Sequence, residues 1–126
     1  MLQLNNDKFN DKTFSKWISK QHIDMSEIIS ALDEIKNGDF DTSLGGYLYK
    51  KRIRFKDRGK SGSGRTILCY KENDRAIFIH GFAKNEKENL SKKELIALKE
   101  FSKVLLSLSK NQISKAINAG DFKEIK

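Results

Sequence analysis

The sequence predicts an α+β fold in two layers: an N-terminal helical hairpin packed on a three- to four-stranded antiparallel sheet, followed by C-terminal helices. Apolar residues recur with helical spacing in the first and last thirds of the chain. The middle third changes to β-branched and aromatic runs separated by polar turns. Segregated helices and strands indicate the α+β class. A chain of 126 residues has the length of one domain, so we expect a single domain over residues 1–126.

Residues 1–40 are predicted to form the helical hairpin. Asp24 or Ser26 can cap the start of its second helix, and Gly38 is a natural stop. Leu2–Leu4 is a candidate for a short first strand. The apolar positions that define the inner faces of the two helices are Phe14, Trp17, Ile18, Ile28, Ala31, Leu32 and Ile35.

Residues 46–84 are predicted to form an antiparallel meander. A loop with three glycines and two serines, residues 56–64, connects its first two strands. A polar turn at residues 72–75 connects the last two. The three predicted strands are Tyr47 to Phe55, Arg65 to Lys71 and Ala76 to Ala83.

The polar turn also predicts a register. If Asn73 and Asp74 are the two loop residues, Arg65 lies opposite Phe82. Because side chains alternate between the faces of a strand, four side chains then share one face near the glycine loop. They are Arg65, His80, Phe82 and Lys84.

Residues 91–126 are predicted to form the C-terminal helices. Ser91 and Glu94 have the spacing of a capping box. The shorter, last helix closes near Gly120, after which Phe122 and Ile125 are expected to dock back onto the fold. The apolar positions of the two helices are Leu95, Leu98, Phe101, Leu105 and Leu108 in the long one, and Ile113, Ala116 and Ile117 in the short one.

The positive charge of the chain is concentrated in one segment. Residues 47–75 contain ten basic and three acidic residues, whereas the formal charge of the entire chain is only +8. All five arginines lie in this segment: Arg52, Arg54, Arg58, Arg65 and Arg75. Arginine makes forked contacts to phosphate that lysine cannot make, and a compact cationic patch attracts polyanions. A solvated basic surface is the alternative, but the segregation of the charge favours a nucleic-acid partner.

Several classes of site are excluded by composition. One cysteine permits no intrachain disulfide, so a reducing, cytoplasmic compartment is expected, and one cysteine with two histidines cannot build a zinc site. Gly59-Lys60-Ser61 resembles the end of a phosphate-binding loop, but Arg54 stands where its first glycine should be. We therefore expect no metal and no cofactor. The longest nearly apolar run, residues 76–83, is too short to cross a membrane.

Lysine and arginine are the candidates for chemistry because histidines are scarce. Lys50, Arg52 and Arg54 share one face of their predicted strand, but the irregular loop leaves open whether this face also carries Arg65. If the faces match, five or six cations, including Lys60, converge on one end of the sheet. Crowded lysines can act as a general base, and an arginine can stabilise a phosphoryl transition state.

The remaining reactive side chains are interpreted as structural. His80 lies between phenylalanines in mid-strand and is expected to pack, and His22 lies between the two helices. Cys69 stands among apolar residues and is expected in the core.

Four motifs follow one another over roughly residues 44–98: a Lys-x-Arg strand, a basic glycine loop, a Gly-x-Arg step and a hairpin that ends in an Ala-Lys-Asn-Glu corner. They are Lys50-x-Arg52, Gly59-Lys60-Ser61-Gly62, Gly64-Arg65-Thr66 and Gly81-Phe82-Ala83-Lys84-Asn85-Glu86. In this pattern the chain resembles the RelE/ParE toxin superfamily, and within it the HigB-like toxins of type II toxin–antitoxin systems.

The resemblance implies a RelE-like fold and a ribosome-dependent endoribonuclease that cleaves mRNA by attack of a 2′-OH on the adjacent phosphate. The extra helix over residues 109–126 departs from the family, in which a tail often covers the site. By matching motifs, the resemblance implies that Lys50, Arg52, Lys60, Arg65 and Lys84 occupy the family's basic positions. We expect catalysis from Arg65, Lys84 and Lys60, and RNA binding from Lys50, Arg52, Arg54 and Arg58.

The implied partners are mRNA, the ribosome and a cognate antitoxin, with no membrane and no small-molecule cofactor. A non-catalytic inhibitor of DNA gyrase, of the ParE type, or another nucleic-acid-binding interaction protein, stays open as the alternative. The predicted sheet is apolar on both faces, and we expect the helices to leave the second face partly exposed for an acidic, amphipathic antitoxin. The apolar residues expected on the two faces are Ile67, Cys69 and Phe78 on one, and Leu68, Ile77 and Ile79 on the other.

Overall fold

A computed structural model describes residues 7–55, 63–83 and 90–125. Within these residues, one strand is followed by two helices, four strands, two further helices and a final short strand. In chain order the elements are β1 (Asp7–Asp11), α1 (Lys12–Lys20), α2 (Met25–Lys36), β2 (Thr42–Gly45), β3 (Leu48–Arg54), β4 (Ser63–Lys71), β5 (Arg75–Ala83), α3 (Lys92–Ser107), α4 (Lys110–Ala119) and β6 (Phe122–Glu124).

The sheet has six strands in the order β2-β3-β4-β5-β1-β6, and it is mixed. β1 runs parallel to β5, and the other neighbouring pairs are antiparallel. The prediction of an N-terminal helical hairpin on a three- to four-stranded antiparallel sheet is therefore wrong. β1 has one apolar residue, Phe9, in the sequence Asp-Lys-Phe-Asn-Asp, so no local pattern indicates a strand there. The predicted strand at Leu2–Leu4 lies outside the described residues.

Helices cover both faces of the sheet. α1 and α2 pack on what we call the N-helix face, against Leu68 and Phe78, among others. α3 and α4 pack on the opposite C-helix face, against Ile67, Cys69 and Ile79, among others. Ile67 and Cys69 are fully buried, so the expectation that apolar residues of the second face stay exposed is wrong. Two helix layers enclose the sheet because it presents apolar residues on both sides.

The β4–β5 hairpin differs from the predicted register at two points. Its turn has three residues, Glu72 to Asp74, because Lys71 rather than Glu72 pairs with Arg75. A β-bulge next to Ile67 then shifts the pairing by one residue. The two differences cancel, so Arg65 lies opposite Phe82, as predicted. Between the turn and the bulge, the observed pairing is offset by one residue from the predicted pairing. Phe78 therefore packs on the N-helix face instead of beside Ile67 and Cys69.

Local signals place the helix ends correctly. Asp24 caps α2, and Gly38 follows its end with a φ of 87° that favours glycine. The predicted capping box of Ser91 and Glu94 is present at the start of α3.

The long C-terminal helix departs from its predicted face and length. α3 ends at Ser107, one residue before Leu108. Phe101, expected in the core, is 39% exposed, whereas the adjacent Ser102 is fully buried and donates its hydroxyl to the carbonyl of Gly46 at 3.3 Å. The close approach of the helix to the β2–β3 turn requires a small residue there, and polarity patterning does not reveal that requirement.

α1 packs directly on β5 through Trp17. A Cβ atom at Gly81 would lie 2.3 Å from the Trp17 ring, so this strand position requires glycine. The predicted docking of the chain end is also confirmed: β6 pairs with β1, and both Phe122 and Ile125 are buried.

Candidate nucleic-acid interface

Two neighbouring strands bring four cations together at one end of the sheet. Arg52 of β3 is the direct partner of Arg65 in β4, and Arg54 is the partner of Ser63. Side chains alternate between the two faces along a strand, so Arg52 shares a face with Leu48 and Arg65 shares a face with Ile67. Leu48 and Ile67 both pack on the C-helix face. The face of β3 that the sequence left open is therefore the one that carries Arg65. We call Lys50, Arg52, Arg54 and Arg65 the basic cluster.

Arg65 is a largely enclosed member of the cluster. Its side chain is 15% exposed, and its Nε lies 3.2 Å from Oδ2 of Asp41. Its Nη1 donates to the carbonyl of Gly64 at 3.4 Å. The second carboxylate oxygen of Asp41 accepts the backbone N–H of Arg52 at 3.3 Å. One acidic residue thus links the two opposed arginine positions.

The other two arginines of the cluster are more accessible than Arg65. Arg52 and Arg54 are exposed, and Lys50 is half-buried. Within the described residues, neither arginine side chain pairs with a carboxylate. An exposed guanidinium keeps its forked donors available to phosphate oxygens.

An aromatic pair borders the cluster. Phe82, the direct partner of Arg65, is buried, and its ring centroid lies 6.0 Å from that of the half-buried His80. His80 is thus on the predicted face, beside rather than between the cations.

Two cations of the basic segment have structural positions instead. Lys51 is buried on the N-helix face, where its Nζ lies 2.8 Å from Glu34 and 3.5 Å from Asp39. Arg75 is buried at the opposite end of the sheet and donates from Nη1 to the carbonyl of Leu105 at 2.9 Å. It stabilises the C-terminal end of α3, where carbonyls lack intrahelical partners.

Three assigned residues, Arg58, Lys60 and Lys84, lie outside the described residues. Their roles stay predictions. The described strands end next to the cluster: Gly64 pairs with Ala83, the last residue of β5.

Other features of the described chain are separate from the cluster. Burial raises the pKa of the Cys69 thiol to about 11, so this cysteine is a core residue, as predicted, and a poor nucleophile. A shallow depression of about 200 Å³ lies beside the Glu72–Asp74 turn, at the far end of the sheet. No described helix is both long enough and apolar enough to span a membrane.

Asp41 is the site residue that sequence reasoning missed. It lies in the polar segment between α2 and β2, where an acidic residue is ordinarily solvated. Its contact with Arg65 spans 24 positions of sequence, and no local motif indicates it.

Comparison with known families identifies the class of the protein. The family model described as the RelE toxin of the RelE/RelB toxin–antitoxin system matches residues 8–125. Because the match covers nearly the entire chain, the protein belongs to the RelE toxin family and is a toxin of a toxin–antitoxin system. Among curated proteins, none matches the chain significantly.

Proposed function

We propose that this toxin is a cytoplasmic, ribosome-dependent endoribonuclease of the HigB-like type that cleaves mRNA. The observation that carries the proposal is the pairing of Arg52 with Arg65 on one face, flanked by Lys50 and Arg54. Four cations at one sheet end form a compact site for the phosphates of a single strand. Family membership supports RNA cleavage as the chemistry.

The reaction assigned to the cluster is attack of a ribose 2′-OH on the adjacent phosphorus. The O2′–P bond forms, the P–O5′ bond breaks, and the products are a 2′,3′-cyclic phosphate and a free 5′-OH. Arg65 holds the negative charge that grows on the phosphoryl oxygens in the transition state. Lys60 and Lys84 are assigned to proton transfer from the 2′-OH and to the leaving oxygen. Lys50, Arg52, Arg54 and Arg58 bind the flanking phosphates.

The cognate antitoxin is proposed to block this cluster. A partner that covers four cations is expected to be locally acidic, and its binding should weaken with salt. Both sheet faces are covered by the chain's own helices, so an apolar sheet surface no longer supports the predicted mode of binding. Cross-links from the antitoxin to residues 50–55 and 63–65 are expected.

The proposal is tested in a cell-free translation reaction in which transcript ends are mapped. The wild-type protein should produce new ends within translated codons, and Arg65→Ala should lower the cleavage rate on the order of a hundredfold, as for the loss of a transition-state charge partner. Lys115→Ala, at an exposed position of α4, is the matched control for loss of a positive charge. His80→Gln should leave the rate close to that of the wild type.

Three results would contradict this assignment. Cleavage by Arg65→Ala at the wild-type rate would place the site elsewhere. A large loss in a folded His80→Gln protein would give the histidine a catalytic role. Inhibition of gyrase supercoiling without any transcript cleavage would favour the ParE-type alternative.

A further inference from the structure

Two like charges face each other at the centre of the basic cluster. Arg52 and Arg65 are direct cross-strand partners, an arrangement that is unfavourable for cations without a counter-charge. Asp41 is placed to supply it, because its two carboxylate oxygens contact Nε of Arg65 and the backbone N–H of Arg52. Asp41 therefore supplies the negative charge that the two opposed arginines require.

Asp41 is itself held from several directions. Its backbone N–H donates to the carbonyl of Lys50 at 2.9 Å, which ties it to the edge of β3. The preceding Phe40 packs against Tyr49, with ring centroids 4.8 Å apart. The carboxylate thus acts as a fixed anchor rather than as a mobile counter-ion.

The atoms of Arg65 that Asp41 leaves available are those that a phosphate needs. A guanidinium has five N–H donors. Nε is directed to Asp41 and one Nη1 hydrogen to the carbonyl of Gly64. The remaining donors are on the terminal nitrogens, which form the end-on fork that binds two phosphate oxygens.

We propose that Asp41 is a positioning residue, which holds Arg65 by its Nε so that the terminal nitrogens face the scissile phosphate. The inference rests on the proposed function, since the phosphate is the group that Arg65 is to meet. A competing role, in which Asp41 occupies the phosphate position until RNA displaces it, is disfavoured by its contact with Nε instead of the terminal fork. The two roles predict opposite effects of removing the charge.

The test uses Asp41→Asn in the full-length protein. Single-turnover cleavage on programmed ribosomes should slow by roughly tenfold to a hundredfold because a catalytic group is misplaced. The concentration of programmed ribosomes at half-saturation should change little, because the other cations still bind RNA. Asp33→Asn, an exposed acid on α2, is the matched control. The double variant Asp41→Asn/Arg65→Ala should be no slower than Arg65→Ala alone, because Asp41 acts through Arg65.

An NMR readout separates positioning from general stability. The chain has only five arginines, and the Nε–H signal of Arg65 is assigned by its loss in Arg65→Lys. In the wild type this signal should be shifted and slow to exchange, and Asp41→Asn should move it to the position of exposed arginines while the amide spectrum stays folded. Asp33→Asn should leave it unchanged.

The outcomes are distinguishable from failure of the proposed function. A wild-type protein that cleaves no transcript would overturn the nuclease assignment. In that case a moved Nε–H signal of Arg65 in folded Asp41→Asn, with the signal unchanged in Asp33→Asn, would still support the positioning role. Unchanged or faster cleavage, or an unmoved Nε–H signal, in Asp41→Asn would overturn it.

Discussion

Lys51 and Arg52 are neighbours in the chain but have different environments, because strand parity directs their side chains to opposite faces. Lys51 is buried beside the acids of α2 and the following turn, whereas Arg52 is exposed in the basic cluster. At the scale of single residues, position in the sheet therefore decides whether a cation of the basic segment supports the fold or is available to a ligand.

This difference predicts opposite effects of two adjacent substitutions. Arg52→Ala should leave the melting temperature nearly unchanged and weaken binding of single-stranded RNA, with the slope of log affinity against log salt reduced by about 1. Lys51→Ala should retain RNA binding but lower the free energy of unfolding by about 1–2 kcal/mol, through loss of its packed stem and ion pairs. Thermal denaturation and salt-dependent filter binding measure both effects.

The Lys51 variant is thus the matched control for Arg52, since both lose one positive charge within the same strand. Equal losses of RNA affinity in the two variants would show that only the net charge of the segment matters. That result would contradict the placement of the basic cluster on one face.

At the scale of elements, the helix ends are stabilised by side chains from within and from outside the helix. α3 begins with its own capping box, and its last turn receives Arg75 from β5. α1 is capped at its start by Asp11, whose carboxylate accepts the backbone N–H of Phe14 at 2.8 Å. Asp11 is also the last residue of β1 and is buried, so its cap is made at the cost of desolvating a carboxylate.

Asp11 predicts a pH dependence of stability. Burial raises the pKa of its carboxyl from 3.8 to about 6 in the folded protein. The folded state then holds a proton that the unfolded chain has lost between pH 4 and 6, so stability should fall as pH rises through that window and level off above it. The shift corresponds to about 2–3 kcal/mol.

Asp11→Asn should retain the cap, because asparagine is an equally good N-cap residue, and should remove this component of the pH dependence. Urea denaturation at several pH values between 4 and 7 measures the difference between the variant and the wild type. A variant with the same pH profile as the wild type would show that Asp11 titrates normally. Asp33→Asn serves as the exposed control.

At the scale of the whole molecule, the two ends of the described chain lie side by side. β6 pairs with β1, and Ile125 donates its backbone N–H to the carbonyl of Lys8 at 2.9 Å. β1 in turn pairs with β5, so both ends of the described chain are built into the same sheet that carries the basic cluster. Cys69 lies fully buried between this sheet and α3, and it reports on the integrity of the entire assembly.

The thiol of Cys69 should therefore react only when the fold opens globally. With its pKa raised to about 11 it stays protonated at pH 7, and burial excludes reagents. A thiol reagent should label the native protein very slowly, and labelling should accelerate with urea along the unfolding curve measured by circular dichroism. The unfolded chain, with one cysteine, sets the full extent of reaction. Rapid labelling without denaturant would indicate local opening of the α3 layer.

Much of the local structure could be predicted from the sequence, because its determinants are close in the chain. Helical periodicity located α1 and α2, caps at Asp24 and Ser91 located helix starts, and a polar turn located the β4–β5 hairpin. The motifs of residues 44–98 resemble those of the RelE family, and family comparison confirms that the chain belongs to it. The catalytic and RNA-binding roles of the basic residues remain predictions.

Only the tertiary structure decided the features that depend on distant pairing. A polar segment became β1 because β5 and β6 supply its hydrogen bonds on both sides, and helices cover both faces of the resulting sheet. The sequence by itself determined where the positive charge lies along the chain. The pairing of β3 with β4 decided which cations meet, because the face and register of a strand depend on its partner. This pairing places Arg52 opposite Arg65. The same fold buries Lys51 and Arg75 away from the cluster, and it places Asp41 in contact with Arg65.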